Sequence, residues 1–344
     1  MRYPPKPRPG DKVAVLSPSA GVPAVFPDVF ELGLRRLRET FDLVPVEYPT
    51  TRVLGASAQA RADDIHAAFA DPEIKAVLAS IGGDDQITVV PLLDDDLLRD
   101  NPKPFFGYSD NTNLLNYLYG LGLVGYHGGS VMVHLGRGAR LHPSHEASLR
   151  AALFTSDQWY ELGAPSEWGD EPIPWSEPGR FGEEPPMVAS DGWSWLNPDS
   201  VVQAPTWGGN LEIVSWLLQA GRVGPSSDYQ GQVLLLETSE EMPPAEEVYR
   251  TLRNMGERDL LQQFPAVLMG RPKAWERGRD PDWEVRRAYA RDQRAAVERA
   301  IGEYHPHATV VFDLDIGHTD PQLIVPYGGL VKVDGPARRI DVRY

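Results

Sequence analysis

The sequence predicts an α/β protein whose parallel sheet is covered by helices. Three observations lead there. Short apolar runs alternate with amphipathic segments through the first half of the chain. Each run ends at a glycine or a polar turn, as repeated βα units do. One such turn carries a serine, in Phe105-Phe106-Gly107-Tyr108-Ser109-Asp110-Asn111. Ligands of such sheets bind beyond the carboxyl ends of the strands, and both Ser109 and the Gly82-Gly83 turn lie at such ends.

The elements follow in order. Lys12 to Ser17 reads as a buried strand. Pro27 to Thr40 reads as an amphipathic helix with Val29, Phe30, Leu34 and Leu37 on one side. Leu43 to Val46 is a weaker strand, and Pro45 argues for a sheet edge. Ser57 to Phe69 is an alanine-rich helix. Ala76 to Ile81 is a buried strand leading to Gly82-Gly83-Asp84-Asp85. A short helix from Gln86, the Phe105-Phe106 strand and a helix to Tyr119 complete this half. From Phe154 to Pro205 the pattern breaks into prolines, glycines and acids, with Trp159, Trp168, Trp175, Trp193 and Trp195. This segment reads as a linker and a long excursion, of the kind that is functional or mobile. The expected division is therefore an N-terminal domain over 1–155, a linker and Trp-rich loop over 156–205, and a C-terminal domain over 206–344. In the last part, Gly208-Gly209 reads as a turn opening a helix from Asn210 to Leu218. Gln232 to Glu237 is a buried strand ending in a carboxylate. Pro244 to Asn254 is a helix with proline at its start. Ala266 to Gly270 is a strand and Asp282 to Glu303 a long charged helix. Thr309 to Phe312 is a strand leading to Asp315-Ile316-Gly317-His318-Thr319-Asp320, and short β segments follow around Leu323 to Val325 and Leu330 to Val333.

The 344 residues, 42% of them hydrophobic, suit about two domains. Acidic residues outnumber basic ones 49 to 33, for a net charge of −16. Such a surface disfavours nucleic acid and anionic membranes as partners. No apolar run reaches the roughly 18 residues of a membrane span. Met1 to Gly10 has basic residues without an apolar stretch behind them, so no secretory signal is expected and the cytoplasm is the expected compartment. Cysteine is absent, which excludes disulfides, a cysteine nucleophile and thiolate metal sites. No metal or cofactor is expected. Asp313, Asp315, His318 and Asp320 are the nearest thing to a metal cluster, but in a strand they would alternate faces.

Ser109, Glu237 and His318 share one placement, each at the end of an apolar strand. A serine hydroxyl becomes a nucleophile when a histidine takes its proton and a carboxylate orients that histidine. A helix N-terminus behind Ser109 would supply N–H groups for an oxyanion. Plainer readings stand beside these. Ser109 or Asp110 would also serve as a helix cap. Glu237 belongs to an acidic run that suits a solvated helix start, and His318 would suit a backbone carbonyl. Gly82-Gly83 also fits a simple strand-end turn. His127, beside Gly128-Gly129, is the best rival base and His134 is also available; His66, His142, His145, His305 and His307 lie in helical, polar or proline-flanked surroundings.

Taken together, Gly107-Tyr108-Ser109-Asp110, Gly208-Gly209-Asn210-Leu211, Leu235-Leu236-Glu237-Thr238-Ser239-Glu240 and Gly317-His318-Thr319-Asp320-Pro321 resemble the ordered blocks of the LD-carboxypeptidase family of serine peptidases. Within it, Glu237-Thr238-Ser239-Glu240-Glu241, Gly317-His318-Thr319-Asp320-Pro321-Gln322 and the long middle segment resemble the microcin-immunity branch. The resemblance covers almost the whole chain. It implies a nucleophile at Ser109, a carboxylate at Glu237, a base at His318, and an oxyanion hole from the backbone of Asp110 and Gly83. It implies an N-terminal α/β domain, a C-terminal α/β domain with a small barrel-like sheet, a homodimer and no metal. The implied reaction is hydrolysis between an aminoacyl or peptidyl group and a nucleotide-like amine, which would detoxify a tRNA-synthetase inhibitor. Gly82 and Asn210 are then expected at the substrate. Trp175, with Trp168 second, is expected to stack on a nucleobase, although tryptophans in this segment would equally serve domain packing. Removal of a terminal D-amino acid from muropeptides and noncatalytic binding on the same scaffold are the alternatives.

Overall fold

The computed structural model describes residues 1–276 and 282–344. The chain begins with β1 (Lys12–Leu16), α1 (Pro27–Glu39), β2 (Val44–Glu47), α2 (Ala58–Ala70), β3 (Ile74–Ala79), α3 (Asp95–Asp100), β4 (Phe105–Gly107), α4 (Thr112–Gly120), β5 (Gly125–His127) and α5 (Pro143–Phe154). Then come four short strands, β6 (Trp159–Leu162), β7 (Glu167–Trp168), β8 (Val188–Ala189) and β9 (Ser194–Leu196). The remainder is β10 (Val201–Asn210), α6 (Leu211–Gln219), β11 (Val233–Glu237), α7 (Ala245–Glu257), β12 (Ala266–Gly270), α8 (Trp283–Tyr304), β13 (Thr309–Leu314), β14 (Val325–Tyr327), β15 (Leu330–Asp334) and β16 (Arg339–Arg343).

The first sheet has the order β14-β5-β4-β3-β1-β2, with β1 to β5 parallel. β2 is at its edge, where Pro45 need not donate to a neighbour. Val29, Phe30, Leu34 and Leu37 of α1 are all buried. Each such side chain contributes about 1.5–3 kcal/mol, far more than the tenths that separate helix propensities. The second sheet has the order β6-β16-β15-β10-β11-β12-β13-β9, parallel from β10 to β13 and antiparallel elsewhere. No helix of the described residues is long and apolar enough to cross a membrane.

The structure differs from expectation in two segments. Within 156–205, β6 pairs with β16, β9 pairs with β13, and β7 pairs with β8. These strands are short and partly exposed, so no alternating pattern announces them; they exist because partners distant in sequence complete them. Gly208 and Gly209 are not a turn but lie inside β10, with φ of +135° and +108°. A Cβ on Gly208 would stand 2.0 Å from the Leu235 carbonyl oxygen, which only glycine avoids.

One crossing matters for the site. After β13 the chain returns to the first sheet, where β14 runs antiparallel to β5 and Val325 pairs with His127. This return carries residues 315–323 to the carboxyl ends of β4 and β5.

Candidate active site

Ser109 sits between β4 and α4 with a φ of +60°. For an L-residue this costs about 1–2 kcal/mol, and it is the conformation of a strained nucleophile turn. The strain is held by side chains. The Asp110 carboxylate accepts hydrogen bonds from Ser19 Oγ, from the Gln86 N–H at 2.9 Å and from Asn113 Nδ2 at 2.8 Å. Asn111 Nδ2 donates to the carbonyls of Ile81 at 3.0 Å and Tyr108 at 3.1 Å. Burial raises the Asp110 pKa, and the bonds from Ser19 and Gln86 oppose that shift. Neither Ser109 nor Asp110 caps α4: its N-cap is Asn111, without a side-chain bond.

The Gly82-Gly83 turn faces this serine. A Cβ on Gly82 would lie 2.9 Å from Ser109 Cβ, 3.0 Å from its Oγ and 3.4 Å from the Asp110 nitrogen. The absent side chain leaves space beside Oγ and the Asp110 N–H together. The Ala20 N–H donates to the Gly82 carbonyl at 3.2 Å and fixes the turn.

Glu237 ends β11 and is fully buried. His318 Nδ1 lies 2.6 Å from its Oε2. Gly317 makes room: a Cβ there would be 2.7 Å from the same oxygen. The loop bearing His318 is closed by the Leu323 N–H donating to the Asp315 carbonyl at 2.6 Å. It is tied to the first sheet by Gln322, whose Oε1 accepts from the Gly129 N–H at 3.0 Å. His127 is fully buried, with Nε2 2.9 Å from the Ile316 carbonyl oxygen. The rival base thus fastens the loop that carries His318. The Tyr108 ring packs 4.8 Å from the His318 ring.

The other face of His318 holds a group that sequence reasoning passed over. Nε2 lies 3.0 Å from Glu240 Oε2. Burial alone would lower the His318 pKa, but Glu237 and Glu240 outweigh it and hold it up at about 10. Crowding within the cleft pushes the Glu240 carboxyl up, and the His318 cation more than offsets this, down to about 2. Ser109 Oγ has no hydrogen bond to His318 among the described residues. The signal for Glu240 was its place three residues after Glu237 at a strand end, read instead as a solvated acidic run.

Ser109, Gly82, Gly83, Glu240 and His318 open into one cavity of about 550 Å³. The 156–205 segment forms its outer wall, pinned to the His318 loop by paired Gly169–Asp320 backbone bonds of 2.7 Å and by Arg137, which bridges Asp320 at 2.6 Å and Glu184 at 2.8 Å. Trp175 lines the cavity, its ring edge-on to Phe26 at 5.7 Å. Trp168 does not line it; its ring packs under Arg271 at 4.6 Å and against Trp283 at 6.3 Å. Asn210 does not line it either; its side chain caps α6 by accepting from the Ile213 N–H at 3.0 Å. Lys273 and Trp275, which no sequence pattern marked, line the cavity. Within the run from Asp313 to Asp320, Asp315 faces Trp193 and Arg271, Asp320 faces Arg137, and His318 faces Glu237 and Glu240.

Comparison with known proteins gives the same outline. The profile of the LD-carboxypeptidase N-terminal domain matches residues 13–128, and that of the LD-carboxypeptidase C-terminal domain matches residues 203–333. The chain is 24% identical to the microcin C7 self-immunity protein MccF of Escherichia coli, over 97% of this chain and 93% of that protein. It is 26% identical to the murein tetrapeptide carboxypeptidase of Pseudomonas aeruginosa, over 94% and 93% of the two chains. The solved structure of MccF in complex with aspartyl sulfamoyl adenosine matches with a TM-score of 0.85 at 20% identity, covering 100% of this chain and 99% of that one. With both family domains present in order across most of its length, the chain belongs to the LD-carboxypeptidase family and is a hydrolase of the serine peptidase type.

Proposed function

We propose that this hydrolase cleaves the amide-type bond between an aminoacyl or peptidyl group and a nucleotide-like amine, with Ser109 as nucleophile, His318 as base and Glu237 as its orienting carboxylate. The observation that carries the reading is a candidate triad opening into a cavity of about 550 Å³ walled by an indole-bearing excursion. Trp175 offers a ring face on which a nucleobase stacks, a contact worth about 1–3 kcal/mol. The relative solved with aspartyl sulfamoyl adenosine has this fold.

The steps follow from the residues. Ser109 Oγ attacks the acyl carbon while His318 Nε2 takes its proton. The backbone N–H groups of Asp110 and Gly83 receive the oxyanion. The bond from the acyl carbon to nitrogen breaks, and His318 returns the proton to the leaving nitrogen. Water, deprotonated by His318, then cleaves the Ser109 ester and releases the acid. Glu237 accepts the hydrogen bond of the His318 Nδ1–H throughout, and the proton stays on the ring.

A second reading is removal of a terminal D-amino acid from a muropeptide. Lys273 favours it, because a cation lining the cavity suits a terminal carboxylate. Incubation with aminoacyl sulfamoyl adenosines and with a murein tetrapeptide separates the two. Release of sulfamoyl adenosine is expected; release of D-alanine with the nucleotides intact supports the second reading.

A further inference from the structure

We propose that Glu240 is the receptor for an α-ammonium group on the substrate's acyl part, and that the substrate, by drawing Glu240 away, uncovers the His318 nitrogen that must receive the Ser109 proton. This assignment rests on the aminoacyl form of the proposed substrate and makes it the preferred one; a peptidyl group, whose α-nitrogen is an amide, brings no cation and is expected to be cut more slowly.

Glu240 Oε2 lies 3.0 Å from His318 Nε2, the nitrogen the mechanism requires to be free. The turn that presents Glu240 is held without it. The Ser239 N–H and Oγ both donate to the Glu212 carboxylate, at 2.9 and 2.6 Å, and the Glu241 N–H donates to Ser239 Oγ at 3.1 Å. The Glu240 side chain itself is 63% exposed and lines the same cavity as Ser109. It is thus free to swing on a fixed turn.

Between two carboxylates, His318 stays an imidazolium at neutral pH and accepts no proton. The groups acting on it are Glu237, Glu240, the buried His127 and His134, and the Tyr108 ring. Lys273 also acts on Glu240, but its ammonium donates to the Asp170 carbonyl oxygen. With Lys273 in place Glu240 still lies on His318, so the cation that draws it away is one that arrives with the substrate. An α-ammonium is two bonds from the scissile carbonyl, so a carbonyl placed at Ser109 puts it beside His318 Nε2. Pairing with Glu240 leaves His318 with Glu237 alone, which lowers its pKa and uncovers Nε2 for the Ser109 proton. An N-acetylated acyl group has no cation to offer and leaves Glu240 on His318.

The test compares an aminoacyl sulfamoyl adenosine with its N-acetyl counterpart in the wild-type enzyme and in Glu240→Gln. The wild type is expected to favour the free amine at least tenfold in kcat/KM, and Glu240→Gln to reduce that ratio to within threefold of one. In the free enzyme, NMR titration of the His318 ring is expected to show a pKa at least one unit lower in Glu240→Gln, a change that a merely structural role would not produce. A ratio unmoved by Glu240→Gln, or an unmoved His318 titration, overturns the assignment. A wild type that cuts murein tetrapeptide and neither nucleotide refutes the nucleotide reading instead; the His318 titration then decides the Glu240 contact by itself.

Discussion

Replacing Gly82 by alanine probes the expected oxyanion hole with a single methyl group. The added Cβ would stand 2.9 Å from Ser109 Cβ, 3.0 Å from its Oγ and 3.4 Å from the Asp110 nitrogen. Carbon atoms pack at about 3.5–4.0 Å, so Ser109 would have to retreat by roughly 0.6 Å or more. The hydrogen bonds of Asp110 and Asn111 oppose that retreat, because they hold Ser109 at its φ of +60°. Overpacking of this kind costs about 1–3 kcal/mol of stability. The chemical cost is larger. The methyl intrudes beside the Asp110 N–H, and loss of one oxyanion donor lowers kcat by about 10²–10³. KM should change little, since the oxyanion exists only in the transition state. The assay is steady-state kinetics on an aminoacyl sulfamoyl adenosine together with thermal melting. Gly163→Ala is the control, because a Cβ there meets nothing within 4 Å. A Gly82→Ala enzyme with wild-type kcat would refute this placement of the oxyanion hole.

Four other outcomes are expected. Ser109→Ala and Ser109→Gly should both abolish turnover, and the glycine variant should melt higher because it relieves a strained φ worth about 1 kcal/mol; equal melting temperatures contradict the strain. Glu237→Gln should lower kcat by about 10³–10⁴ with no further loss when combined with Ser109→Ala; full activity removes Glu237 from the mechanism. Trp175→Ala should raise KM for nucleotide substrates more than it lowers kcat, whereas Trp168→Ala should lower the melting temperature with KM unchanged, as its packing against Arg271 and Trp283 requires; the reverse pattern in kinetics would move the base to the other wall. Finally, the His318 pKa is raised from 6.5 to about 10, so its pairing stabilises the fold fully below pH 6.5 and ceases to do so as the pH rises through about 10. Melting curves of wild type and Glu240→Gln should therefore differ most between about pH 4.5 and 6.5, and converge both above pH 10 and as the pH falls through about 2, where Glu240 takes up its proton.

Much of this was legible in the chain. Glu237 ends an apolar strand, and Ser109 and His318 follow one closely in the chain, after Gly107 and Leu314; a reactive side chain near such an end is a local signal. The helix faces were legible for the same reason, as with Val29, Phe30, Leu34 and Leu37. What escaped depends on contacts between distant residues. β6 and β9 carry no alternating pattern and become strands only beside β16 and β13. His145 looks polar in sequence, yet it is buried with Nδ1 2.7 Å from the Gln322 carbonyl oxygen, because the chain returns to the first sheet there. Gly208 and Gly209 looked like a turn, whereas the close approach of Leu235 and Thr112 is what excludes a side chain at those positions. Glu240 looked like one acid among several, and only the position of His318 gives it a partner.

The central claim is that Ser109 carries the acyl group during hydrolysis. Acid-quenched enzyme turning over an aminoacyl sulfamoyl adenosine, digested and mapped by mass spectrometry, tests it directly. The peptide containing Ser109 is expected to gain the mass of the aminoacyl residue, and to lose that adduct entirely in Ser109→Ala. An adduct on another residue, or turnover that persists in Ser109→Ala, would contradict the claim.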